Sequence, residues 1–151
     1  MKHLLVVFHS QSGATARLAA AALEGAHAET ECGSRMLPAL EAGVEDLRKA
    51  DGVLFCTPEN FGYMSGAMKD FLDRTYYALQ GEAKVRACAF IISAGNDGSG
   101  AVRQLQRIVK GYPMREVAEP LIVRGPPDEA SLTQARDIGA ALAAGLALGI
   151  F

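Results

Sequence analysis

The chain has 151 residues, half of them hydrophobic, and a net charge of −2. That length fits one domain able to bury roughly 70% of its extended-chain surface without staples. The near-neutral balance excludes the basic footprint of a nucleic-acid binder or of a protein held on an anionic membrane.

Leu4 to Phe8 is a continuous apolar run, as a parallel strand buried on both faces requires. His9 to Thr15, HSQSGAT, follows it, and Gly13 to Glu24 reads as a helix with Leu18, Ala19, Ala22 and Leu23 on one face and Gly25 as its stop. Glu29 to Cys32 is a weak, polar strand suited to a sheet edge. Pro38 to Gly43 connects it to a short helix, Val44 to Lys49, and Asp51-Gly52 turns the chain into a second buried strand, Val53 to Cys56. Thr57 to Gly66 is a long polar and aromatic loop. Ala67 to Leu79 is a helix ended by Gly81, with Met68, Phe71, Leu72 and Thr75 inward. Ala87 to Ile92 is a third buried strand, and Ser93 to Gly98, SAGNDG, is a glycine-rich loop. A helix over Ser99 to Val109, a strand over Val117 to Val123 weakened by Pro120, a turn over Gly125 to Asp128, and a helix over Ala130 to Leu148 complete the chain.

Strands and helices alternate throughout. The expectation is an α/β, doubly wound, five-stranded parallel sheet of order 2-1-3-4-5 with helices on both faces, forming a single domain over 1–151. In such sheets ligands sit beyond the carboxyl ends of the strands, where strand order reverses. HSQSGAT and the Thr57 to Gly66 loop would then be neighbours, with SAGNDG beside them.

The first loop carries the most chemistry. A helix amino end leaves backbone N–H groups unpaired and is partly positive. Gly13 lets the backbone approach a bound group, and Ser10, Ser12 and Thr15 add hydroxyl donors. A dianionic phosphate suits that pocket with no Lys or Arg. The plainer reading is a helix cap by Ser12. Three hydroxyls and a glycine exceed what a cap needs, which favours the phosphate.

The three loops resemble those of the flavodoxin-like FMN proteins. Val6, Val7, Phe8, Ser10, Gly13 and Thr15 look like the opening of the flavodoxin signature. Thr57-Pro58-Glu59-Asn60-Phe61-Gly62, then Gly66, Met68-Lys69 and Leu72-Asp73-Arg74, resemble the TPEYNGSxPGxLKxxLDR segment of NAD(P)H-dependent FMN reductases. Ser65 stands where that family has Pro. The resemblance implies an FMN phosphate on Ser10, Gln11, Ser12, Gly13, Ala14 and Thr15. It implies the isoalloxazine against Pro58, Glu59, Asn60, Phe61, Gly62, Tyr63 and Met64, with N–H groups near Asn60 and Phe61 facing its N5 and O4 edge. Ser93, Ala94, Gly95, Asn96, Asp97 and Gly98 would receive the pyrimidine edge.

Other readings of this topology fail on residues. A receiver domain needs an Asp at the end of the third strand, where Cys56 stands. A low-molecular-weight tyrosine phosphatase needs an Arg six positions after its Cys. Gly62 follows Cys56 at that spacing and Pro38 follows Cys32. A dinucleotide site needs GxGxxG after the first strand. No CxxC or HExxH spacing points to a metal, and three isolated cysteines suit a reducing compartment. Cys56 and Cys88 read as buried filler. His9 is a satisfied loop histidine or a flavin or substrate contact. Phe61 and Tyr63 are core, interface, or exposed beside the flavin. Asp73-Arg74 reads as a solvated face. The five-residue apolar start is too short for a signal peptide, and the Gly139 to Phe151 tail too short to span a bilayer, so a cytoplasmic protein with no membrane partner is expected.

Two functions follow from the resemblance. One is an NAD(P)H-dependent FMN oxidoreductase reducing a quinone, azo compound or flavin by hydride transfer through FMN N5, with the flavin and no side chain performing the chemistry. The other is a one-electron carrier docking to redox proteins. Carriers of this kind are strongly acidic and cover the flavin with aromatics. This chain is near neutral, has no Trp, and has no aromatic in SAGNDG, which favours the reductase. By analogy with such reductases a homodimer or homotetramer is expected.

Overall fold

The computed structural model describes all 151 residues. The strands are β1 (Lys2–Phe8), β2 (Cys32–Pro38), β3 (Gly52–Asn60), β4 (Tyr63–Met64), β5 (Arg86–Ala94), β6 (Met114–Glu116) and β7 (Leu121–Arg124). The helices are α1 (Ala14–Ala26), α2 (Val44–Lys49), α3 (Gly66–Leu79), α4 (Ser99–Val109) and α5 (Glu129–Ala147). The sheet is parallel in the order β2-β1-β3-β5-β6; β7 also pairs with β5, and β4 folds back antiparallel on β3.

Successive side chains on a strand point to opposite faces, so a doubly covered strand must be apolar at every position. β1 sends Leu5 and Val7 into a core shared with α2, α3 and α4, and Leu4 and Val6 into one shared with α1 and α5. β3 splits Val53 and Phe55 from Leu54 and Cys56 in the same way, and β5 splits Phe90 and Ile92 from Ala89 and Ile91. This is why those three runs lack polar residues.

The sheet has seven strands rather than the expected five. The last position is filled by two short strands in succession, β6 against Arg86–Cys88 and β7 against Ile91–Ala94. The expected strand over Val117 to Val123 is therefore broken: Val117 still donates to the Cys88 carbonyl, but Pro120 has no N–H for a ladder. The edge strand begins at Cys32 and not at Glu29. Ala28 and Glu29 finish the turn after α1 by donating to the Gly25 and Ala26 carbonyls, and Glu31 N–H bonds the Glu29 carboxylate. The chain straightens only afterwards and ends its pairing at Pro38.

Gly25 does not stop α1. A Cβ there would lie 2.0 Å from the Arg136 carbonyl oxygen, and one on Gly139 would lie 1.8 Å from that of Ala22. The two glycines let α1 and α5 touch backbone to backbone. No helix is long and apolar enough to cross a membrane.

Candidate functional site

The carboxyl ends of β1, β3 and β5 meet in a cavity of about 660 Å³, within the range of small-molecule sites. Its wall contains Gln11, Ser12, Gly13, Ala14, Pro58, Glu59, Asn60, Ser93, Ala94 and Gly95 from the three loops singled out in the sequence. Arg17, Gly125, Pro126 and Pro127 complete it. Ser10, Thr15, Phe61, Gly62, Tyr63, Asn96, Asp97 and Gly98 stand outside the wall.

The first loop is shaped by Gly13, whose φ of +97° suits a residue without a side chain. Ser10 Oγ accepts from Gly13 N–H at 3.1 Å. Gly13 gives α1 no side-chain cap, and the N–H groups of Ala14, Thr15 and Ala16 have no partner in the protein. These are the free amides of an uncapped helix end, with its partial positive charge. Of the expected hydroxyls, Ser12 alone reaches the cavity wall. Thr15 is buried and its Oγ1 is paired with Ser93 Oγ at 2.6 Å, locking α1 to the end of β5. The expectation of a site without cations is corrected as well. Arg17, one turn into α1, lies in the wall and donates to the Pro127 carbonyl at 3.5 Å.

The expected loop over Thr57 to Gly66 is mostly a hairpin. β3 runs on to Asn60, and β4 returns through the pairs Asn60 with Tyr63 and Glu59 with Met64. Phe61 (φ +53°) and Gly62 (φ +72°) form its tip, both in the left-handed region that a two-residue type I′ turn demands. Phe61 is fully exposed. Ser65 does the work of a stiffener: it is wholly buried, its N–H donates to Thr57 Oγ1 at 3.0 Å, and its Oγ caps α3 by accepting from Met68 N–H.

Side chains tie the loops together. Asn60 Nδ2 donates to Gln11 Oε1 at 2.7 Å. Glu59 accepts from Gly98 N–H at 2.8 Å and from Ala101 N–H at 3.0 Å. Asp97 accepts from the Ser99 hydroxyl and N–H, bonds that hold its carboxyl below the usual range.

Other candidates resolve differently. Burial pushes the Cys88 thiol up to about 12 and the Cys56 thiol higher still, so neither supplies a thiolate. His9 Nδ1 is buried and without a partner, so His9 is not the satisfied loop histidine of the plainer reading. Arg74 does more than face solvent: besides Asp70 it bonds the Ala42 and Ala39 carbonyls, pinning the connection before α2. No group of three or more metal-ligating side chains occurs. A second cavity, about 460 Å³, opens at the opposite end of β1 and β2, where Arg35 is already committed to Asp46.

An uncapped helix end and an adjoining arginine make one side of the cavity positive, and Pro58, Glu59 and Asn60 from the base of the hairpin line another. Residues 12–124 match the family of NADPH-dependent FMN reductases. The chain belongs to that family. NADPH-dependent FMN reductases are FMN-binding flavoproteins, and here the family match begins inside the loop that carries the free amides. A flavodoxin of Aquifex aeolicus is 35% identical over 103 residues, covering 68% of this chain and 56% of that protein. An NAD(P)H dehydrogenase (quinone) of Acidithiobacillus ferrooxidans is 35% identical over 95 residues, covering 50% and 48%. The chain thus spans about half the length of these curated relatives. Among solved structures, an archaeal flavodoxin superposes with a TM-score of 0.84 at 20% identity, covering 95% of this chain and 98% of its own. The fold is flavodoxin-like.

Proposed function

We propose that this NADPH-dependent FMN reductase family member binds FMN in the cavity and uses it to carry electrons from NAD(P)H to a small acceptor, a quinone, azo compound or flavin. The observation that carries this reading is the row of unpartnered amides at Ala14, Thr15 and Ala16 beside a cavity wall. Such a row stabilises a phosphate through aligned donors and the helix dipole.

The phosphate would be held by the loop from Ser10 to Thr15, with the Ser12 hydroxyl and the Arg17 guanidinium as added donors. The ring would lie against Pro58 to Tyr63, and Ser93 to Gly98 would border its other edge. When bound, FMN supplies the chemistry, taking hydride at N5 and passing electrons on. The chain's own residues bind and orient it. Free amides fix the charged tail, the hairpin presents peptide N–H groups at the rim, and Asn60 bonded to Gln11 joins the two. No side chain acts as acid or base. The third loop, Gly95-Asn96-Asp97-Gly98, has no aromatic to cover a ring, leaving one face for a nicotinamide and then an acceptor. We assign the protein to the cytoplasm as a single-domain homodimer or homotetramer.

The exposed Phe61 at the rim and the flavodoxin relative support a second reading, a one-electron carrier docking to redox proteins. One anaerobic titration separates them. FMN-loaded protein mixed with NADPH or NADH loses its visible flavin absorbance within seconds if it is a reductase. Flavin that stays oxidised with both nucleotides, yet accepts an electron from a reductase protein, makes it a carrier. Protein that leaves FMN fluorescence unquenched overturns both.

A further inference from the structure

α1 begins in the wall of this cavity and α4 begins outside it, bonded to the wall residue Glu59, and the chain treats the two amino ends in opposite ways. At α1 the first amides are free. At α4 the N-cap is Gly98 (φ +92°), which has no side chain to cap with. The carboxylate of Glu59, on the neighbouring strand and in the cavity wall, fills that role with both oxygens. From the other side, a Cβ on Gly100 would lie 2.2 Å from the Gly62 carbonyl oxygen, so the hairpin tip rests directly on the first turn of α4.

We propose that Glu59 is a positioning residue that clamps the β3–β4 hairpin to α4 and cancels the positive pole of that helix. A helix end carries roughly half a unit charge, so a full carboxylate more than neutralises it. The side of the cavity with α1 and Arg17 is left as the attractive one for an anion. A ligand with one charged tail and a neutral ring then has one favoured direction, tail toward α1 and ring toward the hairpin. This rests on the FMN reading above only for the identity of the ring. It adds that the ring end of the cavity is kept slightly negative, which disfavours added electrons there.

Two substitutions separate the clamp from the charge. Glu59→Asp keeps the charge but falls one methylene short of both amides. Glu59→Gln keeps the length and removes the charge. In flavin-free protein, amide hydrogen exchange at Gly98 and Ala101 followed by NMR becomes at least about tenfold faster in E59D. In FMN-loaded protein, E59D keeps the carboxylate, so its midpoint potential stays below that of E59Q. The E59Q potential rises by about 30 mV, the equivalent of tenfold for a two-electron couple. Unchanged exchange in E59D overturns the proposal, as does an E59Q potential that stays put or falls. If wild-type protein binds no FMN, the flavin reading fails, and the exchange measurement on flavin-free protein still decides the clamp.

Discussion

Ser12 and Thr15 look alike in sequence and stand three residues apart, yet the structure gives their hydroxyls different work. Ser12 faces the cavity, while Thr15 spends its hydroxyl on Ser93 in the interior. Ser12→Ala therefore weakens FMN binding by about tenfold, the worth of one hydrogen bond to a charged group, with an unchanged melting temperature. Fluorescence titration and thermal melting check the two halves. Thr15→Ala does the reverse first: it strands a buried Ser93 hydroxyl and costs about 1–3 kcal/mol of stability. Equal effects of the two on binding alone would contradict this division. The cysteines make a separate prediction. Cys32, Cys56 and Cys88 are all buried and raised by desolvation. An aromatic disulfide reagent therefore labels none of them in native protein at pH 8 within minutes, and all of them once the chain is unfolded in guanidinium.

Among the elements, the contact between α1 and α5 is the least tolerant of change. Gly139→Ala drives a methyl group into the Ala22 carbonyl and destabilises the fold by roughly 1–3 kcal/mol, as overpacking does. Gly43→Ala, in extended backbone with nothing within 4 Å, is near neutral. Denaturant unfolding of the two variants makes the comparison. This contact also marks the limit of what was legible in the sequence. α2 and α4 span the residues expected of them, because the glycines and prolines that bound them are local. Gly25 reads as a helix stop because its reason, Arg136, is distant in sequence. β2 is a strand through pairing with β1, and Gly33-Ser34-Arg35 has little strand propensity of its own. The hairpin at Phe61 is hidden because the usual signal for its turn is Asn-Gly or Asp-Gly. That the three loops would meet was readable from the expected strand order, whereas Arg17, Gly125, Pro126 and Pro127 join them at the cavity only through the topology.

Taken whole, the molecule is fastened by carboxylates that prefer to be charged. At Asp46 and Asp51 burial pushes the carboxyl upward, but hydrogen bonds outweigh it: from Arg35 and Gly43 N–H at Asp46, and from His3 N–H and Lys84 at Asp51. Asp128 is held down by the Ser131 N–H at the start of α5. All three lie below the ordinary value of 3.8. A depressed folded-state value adds stability above the unfolded value, and that stability is lost as pH falls through the folded one. The melting temperature is therefore flat from neutrality to about pH 5 and declines below about pH 4. Thermal melts across that span check it. A final consequence belongs to α1. Its far end is welded to α5 through Gly25 and Gly139, and its near end is bolted to β5 through Thr15. The amides it offers are held from both ends, so the receptor proposed there is built before its guest arrives. Loading is then a simple collision, with an observed rate that climbs in proportion to guest concentration and reaches no plateau.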